Sequence, residues 1–259
     1  MKNFYLNTLI ILSLLGITSC KNTAEEFENP FAVETVKDCE GNIYPVVKIG
    51  EQYWMAENMK ATKYDSESER AGETIPQFSE KTYLPFYLSV DTTTSEYVDF
   101  LTEKEMKKMG LLYNWAAAVG ATNEEAENLT DFIEQRQGIC PNGFHIPTKE
   151  EWEQLDAFIA QDGKNVGTAL RTIEGWDEEP VGFFRGTNDY GFDAVPAAYS
   201  DAGENVFVGY EAFFWSSTSN KEDKSIAYNR GLICNENTLY LNDYHKYAAE
   251  SVRCIKNNP

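Results

Sequence analysis

The chain has few of the residues on which common catalytic and nucleic-acid-binding sites depend. It contains two histidines, His145 and His245, with no HxxxH spacing, which argues against a zinc site built from histidine. Only 22 basic residues stand against 42 acidic ones, a formal net charge of −20. So acidic a chain repels phosphate backbones, so we expect no nucleic-acid partner.

Short catalytic motifs are also missing from the sequence. No GxSxG, SxxK, GxxxxGK[ST] or GxGxxG pattern occurs, so the sequence offers neither an activated serine nor a phosphate-binding loop. We therefore predict a non-enzymatic protein without a resident cofactor. The composition, with 42% hydrophobic residues, is that of a globular chain large enough for a sizeable core.

The first 20 residues, MKNFYLNTLIILSLLGITSC, are typical of a bacterial lipoprotein export signal. Lys2 precedes an apolar run, Leu9–Leu15, that is too short to span a bilayer. The quartet 17–20, which ends in Cys20, resembles the lipobox, in which the cysteine is acylated and the chain is cut before it. We predict a signal peptide at 1–19, then an acylated Cys20 with a flexible tether at 20–34.

The predicted lipid would hold the protein at the bacterial outer membrane or cell surface. Glu25 and Glu26 resemble the acidic signals that send some lipoproteins to that surface. No later apolar run reaches the length of a spanning helix, so the lipid is the expected membrane contact.

Four cysteines remain, an even number in an exported chain, and they lack the close CxxC spacing of zinc sites. Disulfides are therefore favoured over metal, with three connectivities open.

Periodicity predicts an α+β fold of antiparallel strands, two or three helices and long loops. A hairpin is expected at 43–56, with a type II′ turn at Gly50-Glu51. Capping boxes at Thr102, Thr122 and Thr148 predict helix starts, and the apolar stretch 111–119 predicts a buried helical segment. A hairpin at 226–241 and a strand at 251–255 follow towards the C terminus.

Six segments, in order, resemble the Fibrobacter succinogenes major paralogous domain family. They are VVKIGEQYWMAENMKATKY (46–64), LLYNWAAAV (111–119), GICPNGFHIPTKEEWEQL (138–155), GTNDYGFDAVPAAY (186–199), FFWSST (213–218) and SVRCIK (251–256). The resemblance covers about residues 35–257 and implies a C-type lectin-like fold. It also implies an exported lipoprotein, and it leaves the activity open. Because catalytic motifs are missing as well, we predict a non-catalytic domain that presents loops for a glycan or a protein ligand.

The resemblance also bears on the cysteines and one loop. Cys140 and Cys254 fall on family motif positions and are expected to pair. Cys39 and Cys234 do not match motif positions, and we expect them to form a second pair. Ala198 stands where family members usually carry glycine, so we expect a stiffer loop there.

Candidate ligand residues lie in polar loops of the second half. We expect Trp54, Trp115, Trp152 and Trp215 in the core, because they lie in the motifs. Trp176, in a polar loop, is predicted to form an exposed aromatic ledge with Tyr190, Tyr199 and Tyr210. Asn188 and Asp189 form an oxygen-rich loop, where the fold analogy makes calcium a possible ligand.

Two alternatives remain open at this stage. The segment 145–153 looks like the motif that opens a helix in formylglycine-generating oxidases, so a metal-assisted or oxidase-type enzyme is one. In that case His145 would be a base or metal ligand, rather than a hydrogen-bonded residue before a helix. A structural surface adhesin is the other alternative.

Overall fold

The computed structural model describes residues 29–90, 103–131, 135–178 and 181–257, and the bounds below refer to these residues. The strands are β1 (Ala32–Lys37), β2 (Ile43–Ile49), β3 (Gln52–Met55), β4 (Tyr87–Ser89), β5 (Leu111–Asn114), β6 (Phe144–His145), β7 (Tyr199–Asp201), β8 (Glu204–Val206), β9 (Glu211–Ser219), β10 (Ile226–Ile233), β11 (Tyr240–His245), β12 (Ala249–Ser251) and β13 (Ile255–Lys256). The helices are α1 (Glu103–Lys108), α2 (Trp115–Ala118), α3 (Asn123–Glu127), α4 (Lys149–Gln161) and α5 (Val166–Leu170).

The strands form two sheets, and the fold is α+β as predicted. The first sheet has the order β1-β2-β3-β13-β6, so the N-terminal strands and the last strand meet in it. The second has the order β11-β10-β9-β12-β5-β4, and the β7–β8 hairpin is attached through β12. Among the described residues, no helix is both long and apolar enough to cross a membrane.

The predicted hairpin and the two testable capping boxes are confirmed. Gly50, with φ of +60°, links β2 to β3 in antiparallel register. Thr148 accepts from the Glu151 amide while the Glu151 side chain accepts from the Thr148 amide, and Thr122 and Glu125 do the same before α3. Thr102 lies outside the described residues, although α1 begins directly after it.

The apolar stretch 111–119 is only partly helical, which corrects the prediction. Its first four residues form β5, which pairs with both β4 and β12. The change occurs at Asn114, whose side chain accepts from the Ala117 amide and so caps α2. A run that is buried on all sides has no periodicity to separate strand from helix.

The expected tether extends too far into the chain, because residues 29–34 belong to the fold. β1 begins at Ala32, and the buried Asn29 side chain donates to the Gly191 carbonyl at 2.7 Å. Residues 1–28, which include the predicted signal and Cys20, lie outside the described residues.

Arg253 joins several of the family-like segments in the core. Its guanidinium is fully buried and donates to Asn58 Oδ1 at 2.8 Å and to the carbonyls of Met55 and Phe192. The same group lies 4.4 Å from the Phe192 ring centroid and 5.5 Å from that of Phe214. These segments therefore contribute to the core of the scaffold. The four tryptophans predicted to be core are all buried, which confirms that prediction.

The cysteine predictions were half right. Cys140 and Cys254 form a disulfide across the core, with Cα atoms 5.9 Å apart. The Cys39–Cys234 pairing is wrong, because both thiols are free. Cys39 is exposed in the turn after β1 of the first sheet, whereas Cys234 is buried after β10 of the second.

Candidate ligand-binding site

A small pocket opens on one face of the second sheet. Its volume is ≈ 180 Å³, below the roughly 300–1,000 Å³ of sites for drug-sized ligands, so it has room for one small group. The residues that line it are Tyr199, Phe207, Glu211, Phe213, Asn229, Asn242, Tyr244 and Glu250.

Strand pairing brings these side chains to one face. Residues opposite each other in neighbouring strands share a face, and Tyr199 lies opposite Glu250 while Asn229 lies opposite Asn242. Phe213 lies opposite Gly231, and a Cβ on that glycine would come 2.6 Å from the Phe213 ring. Glycine at 231 therefore lets the ring lie across β10 beside the pocket.

Aromatic rings form the pocket walls. The Tyr199 ring is 5.4 Å from Phe213 and 5.3 Å from Tyr244 between centroids, both edge-to-face. Phe207, after the β7–β8 hairpin, is 53% exposed and has a φ of +62°. A positive φ is uncommon for a bulky residue such as phenylalanine.

Two buried polar side chains form the pocket floor. Glu250 and Asn229 are each 1% exposed, and Asn229 Nδ2 donates to Glu250 Oε1. Among the described residues, the other oxygens of the pair, Asn229 Oδ1 and Glu250 Oε2, have no hydrogen-bond partner. An unpaired buried polar atom costs about 1–3 kcal/mol, so a pair of them lining an opening indicates a place for a hydrogen-bonding ligand.

Burial shifts both carboxyls of the pocket towards the uncharged form. Burial raises the pKa of Glu250 well above its usual range, against the opposing hydrogen bond from Asn229. Burial also raises the pKa of Glu211 to about 7. Desolvation of this kind is typical of functional sites, although structural groups show it as well.

A second cleft, of ≈ 400 Å³, contains the predicted loop residues Asn188 and Asp189. Their polar atoms pair within the protein: Asn188 Nδ2 donates to Asp193 Oδ1 at 3.1 Å, and Asp189 lies 3.5 Å from Lys164. Lys108 is in turn paired with Asp193. The cleft is larger than the pocket, but these side chains already satisfy one another.

The expected aromatic ledge does not form as predicted. Trp176 is 3% exposed, and its indole N–H donates to Thr172 Oγ1 at 3.0 Å, so this ring fixes its loop to the core. The half-buried Tyr190 donates to Asp162 and packs against Phe158. Of the five predicted ligand residues, Tyr199 lines the pocket, and Asn188 and Asp189 line the cleft.

His145 has a structural position before α4. Its Nε2 lies 2.9 Å from Glu151 Oε1, and its Nδ1 lies 2.6 Å from Asn257 Oδ1. Burial raises the pKa of Glu151, but hydrogen bonds from His145 and Thr148 and the attraction of His145 outweigh it and leave the pKa lowered. The described residues contain no group of three His, Cys, Asp or Glu able to hold a metal, and calcium stays a prediction.

The free thiols are not activated. Burial raises the pKa of Cys234 to about 11 and also raises that of Cys39. A thiol acts as a nucleophile in its ionised form, so both are poor nucleophiles at neutral pH. Cys254, bonded to Cys140, is not available to pair with Cys234.

Sequence reasoning missed most of the pocket. Only Tyr199 was a candidate, while the floor residues Asn229 and Glu250 lie within the strands β10 and β12. A single carboxylate in Ala248-Ala249-Glu250-Ser251-Val252 and a single amide in β10 were the available signals. A polar side chain at a core position requires a partner, and here that requirement points to the pocket.

The chain is thus an α+β protein with an aromatic pocket that has a polar floor. It belongs to the Fibrobacter succinogenes major domain family, whose model matches residues 47–256. Comparison with curated proteins and with solved structures gave no significant match.

Proposed function

We propose that this chain is a lipid-anchored binding module of the bacterial outer membrane or cell surface, with a non-catalytic, C-type lectin-like domain. Its ligand is a glycan or a protein, and the pocket between β7 and the β9–β11 face is the binding site. The lipoprotein-type N terminus supports the location, and the family match supports an exported domain. No nucleic-acid partner is proposed for so acidic a chain.

The observation that carries the binding role is the unpaired floor of the pocket. Asn229 Oδ1 and Glu250 Oε2 are buried beneath rings that remain partly accessible, and neither has a hydrogen-bond partner in the part of the chain that the structure describes. A structural role alone would favour apolar side chains at these positions, because burying unpaired polar atoms lowers stability. A bound ligand would satisfy them.

Binding is tested with the full chain, purified in a detergent that carries no sugar. A glycan array and pull-downs from envelope extracts are compared for the wild type, Tyr199→Leu and the control Tyr228→Leu. Tyr228 is also a half-buried sheet tyrosine, but its ring lies under Lys149 Nζ, 4.8 Å away, outside the pocket. Specific capture that Tyr199→Leu abolishes and Tyr228→Leu keeps supports the proposal, whereas no capture, or capture that both keep, contradicts it.

The anchor is tested separately. Labelled fatty acid should enter the wild type and not Cys20→Ala, which should leave the membrane fraction. A Cys20→Ala chain that stays equally membrane-bound would contradict the anchor and leave the pocket proposal unaffected.

A further inference from the structure

We propose that the pocket binds one uncharged sugar residue, with hydroxyl groups of the ring hydrogen-bonded by the Asn229–Glu250 pair. This inference rests on the binding role proposed above and adds the chemical class of the ligand. It follows from four features of the pocket: hydrogen-bond polarity, aromatic walls, charge and size.

The floor offers one acceptor and one donor side by side. Oε1 of Glu250 accepts from Asn229 Nδ2, so in the uncharged acid the proton is on Oε2. With respect to residues 29–90, 103–131, 135–178 and 181–257, Oε2 is then a donor without an acceptor and Asn229 Oδ1 an acceptor without a donor. A hydroxyl both donates and accepts, so one or two adjacent hydroxyls satisfy both atoms.

The walls favour a ring-shaped ligand with apolar faces. Tyr199, Phe213 and Tyr244 surround the floor on the same side of the sheet. The C–H faces of a sugar ring can pack on such rings while its hydroxyls reach the floor. Ligand sites commonly combine aromatic walls with a few well-placed polar groups in this way.

The charge of the pocket argues against ionised ligands. A carboxylated sugar would place an anion beside Glu250 and Glu211, whose own ionisation is already unfavourable because of burial. An ammonium group at the floor would need Glu250 to ionise, which its burial opposes, whereas Glu211, with a pKa raised to about 7, can supply an anion only above about neutral pH. The four nearby aromatic rings could still attract a cation, so the cationic case is included in the test.

Size limits the ligand to a single residue. The volume of ≈ 180 Å³ suits one ring, and the exposed Phe207 and Asn242 at the opening leave the rest of a chain in solvent. A terminal or side-branch sugar residue fits this geometry.

The test measures calorimetric binding of methyl glycosides to the full chain in sugar-free detergent at pH 6. The probes are methyl glucoside, galactoside and mannoside and the N-acetylhexosaminides, with a glucuronide as the anionic probe and glucosamine as the cationic one. We expect at least one uncharged probe to bind roughly tenfold or more tightly than both charged probes, a difference of about 1.4 kcal/mol.

Substitutions of the floor separate recognition from folding. Glu250→Gln keeps a donor and an acceptor and should bind within about twofold of the wild type. Asn229→Leu removes both the donor and the acceptor of this side chain and should weaken glycoside binding roughly tenfold or more. If Asn229→Leu fails to fold, Tyr199→Leu against Tyr228→Leu supplies the same comparison at the wall.

Four outcomes overturn the inference. The first is tighter binding of glucosamine than of every uncharged probe, and the second is tighter binding of the glucuronide. The third is binding of an uncharged glycoside whose affinity is changed neither by the floor variants nor by the wall variants. The fourth is silence across the glycosides while pocket-dependent capture of a protein succeeds, and that result leaves the proposed binding role standing.

Discussion

The uncharged state of Glu250 makes stability depend on pH in a defined direction. Burial raises the pKa of this carboxyl in the folded protein, whereas in the unfolded chain it titrates near 4.3. The folded state therefore holds a proton that the unfolded state releases. The stability that the protonated Glu250 contributes is fully present below about pH 4.3 and is lost as pH rises towards the pKa of the folded protein.

Glu250→Gln removes this proton while keeping the shape and an oxygen that accepts from Asn229. Between the two pKa values one proton separates the states, so wild-type stability falls by about 1.4 kcal/mol per pH unit through this group alone. The variant lacks that loss. We therefore expect Glu250→Gln to match the stability of the wild type near pH 4 and to exceed it by a margin that grows as pH rises.

The assay is urea unfolding, followed by tryptophan fluorescence at pH 5, 6, 7 and 8 for both proteins. Glu211, Tyr199 and Tyr244 also face this carboxyl, but they are present in both proteins, so the difference between the two curves isolates residue 250. Glu204→Gln, at an exposed position of β8, reports the effect of losing one surface charge. Curves that stay parallel from pH 5 to 8 would refute the reasoning.

Two further predictions concern the scaffold. Replacing Cys140 and Cys254 by alanine should lower the free energy of unfolding by about 5 kcal/mol, because the disulfide closes a loop with a sequence separation of 114. Urea unfolding measures the loss, with Cys39→Ser as the control. A loss below about 1 kcal/mol contradicts the prediction. Ala198→Gly should be about 1–2 kcal/mol less destabilising than Ala197→Gly: both remove a buried methyl, but only Ala198 has a positive φ, +61°, which glycine adopts without strain. Ala197→Gly, which removes a methyl from the neighbouring core position, should destabilise the protein in the same assay, and equal effects of the two variants would count against the strain argument.

Local chemistry made several elements predictable. The Thr148 and Thr122 capping boxes each satisfy backbone groups within one helical turn, so the pattern alone locates the start of the helix. Gly50 likewise marks its turn, because the positive φ there suits glycine. The Cys140–Cys254 pairing came from the family resemblance rather than from spacing.

Long-range packing decided what the sequence could not show. Trp176 lies in a polar segment, yet its indole finds partners on Thr172 and Ala194, which come from two separate segments. Glu250 and Asn229 meet only because β10 and β12 lie on either side of β9 in one sheet. Pairing between distant strands leaves no short pattern, so the pocket appears only with the sheet order.

The most direct test of the pocket is a nuclear magnetic resonance titration of the labelled full chain with the tightest-binding uncharged glycoside. The account predicts that the largest amide shifts fall on the strands that carry Tyr199, Phe213, Asn229 and Glu250. Shifts concentrated instead around Asn188 and Asp189 in the second cleft, or scattered over the surface without saturation, would contradict it.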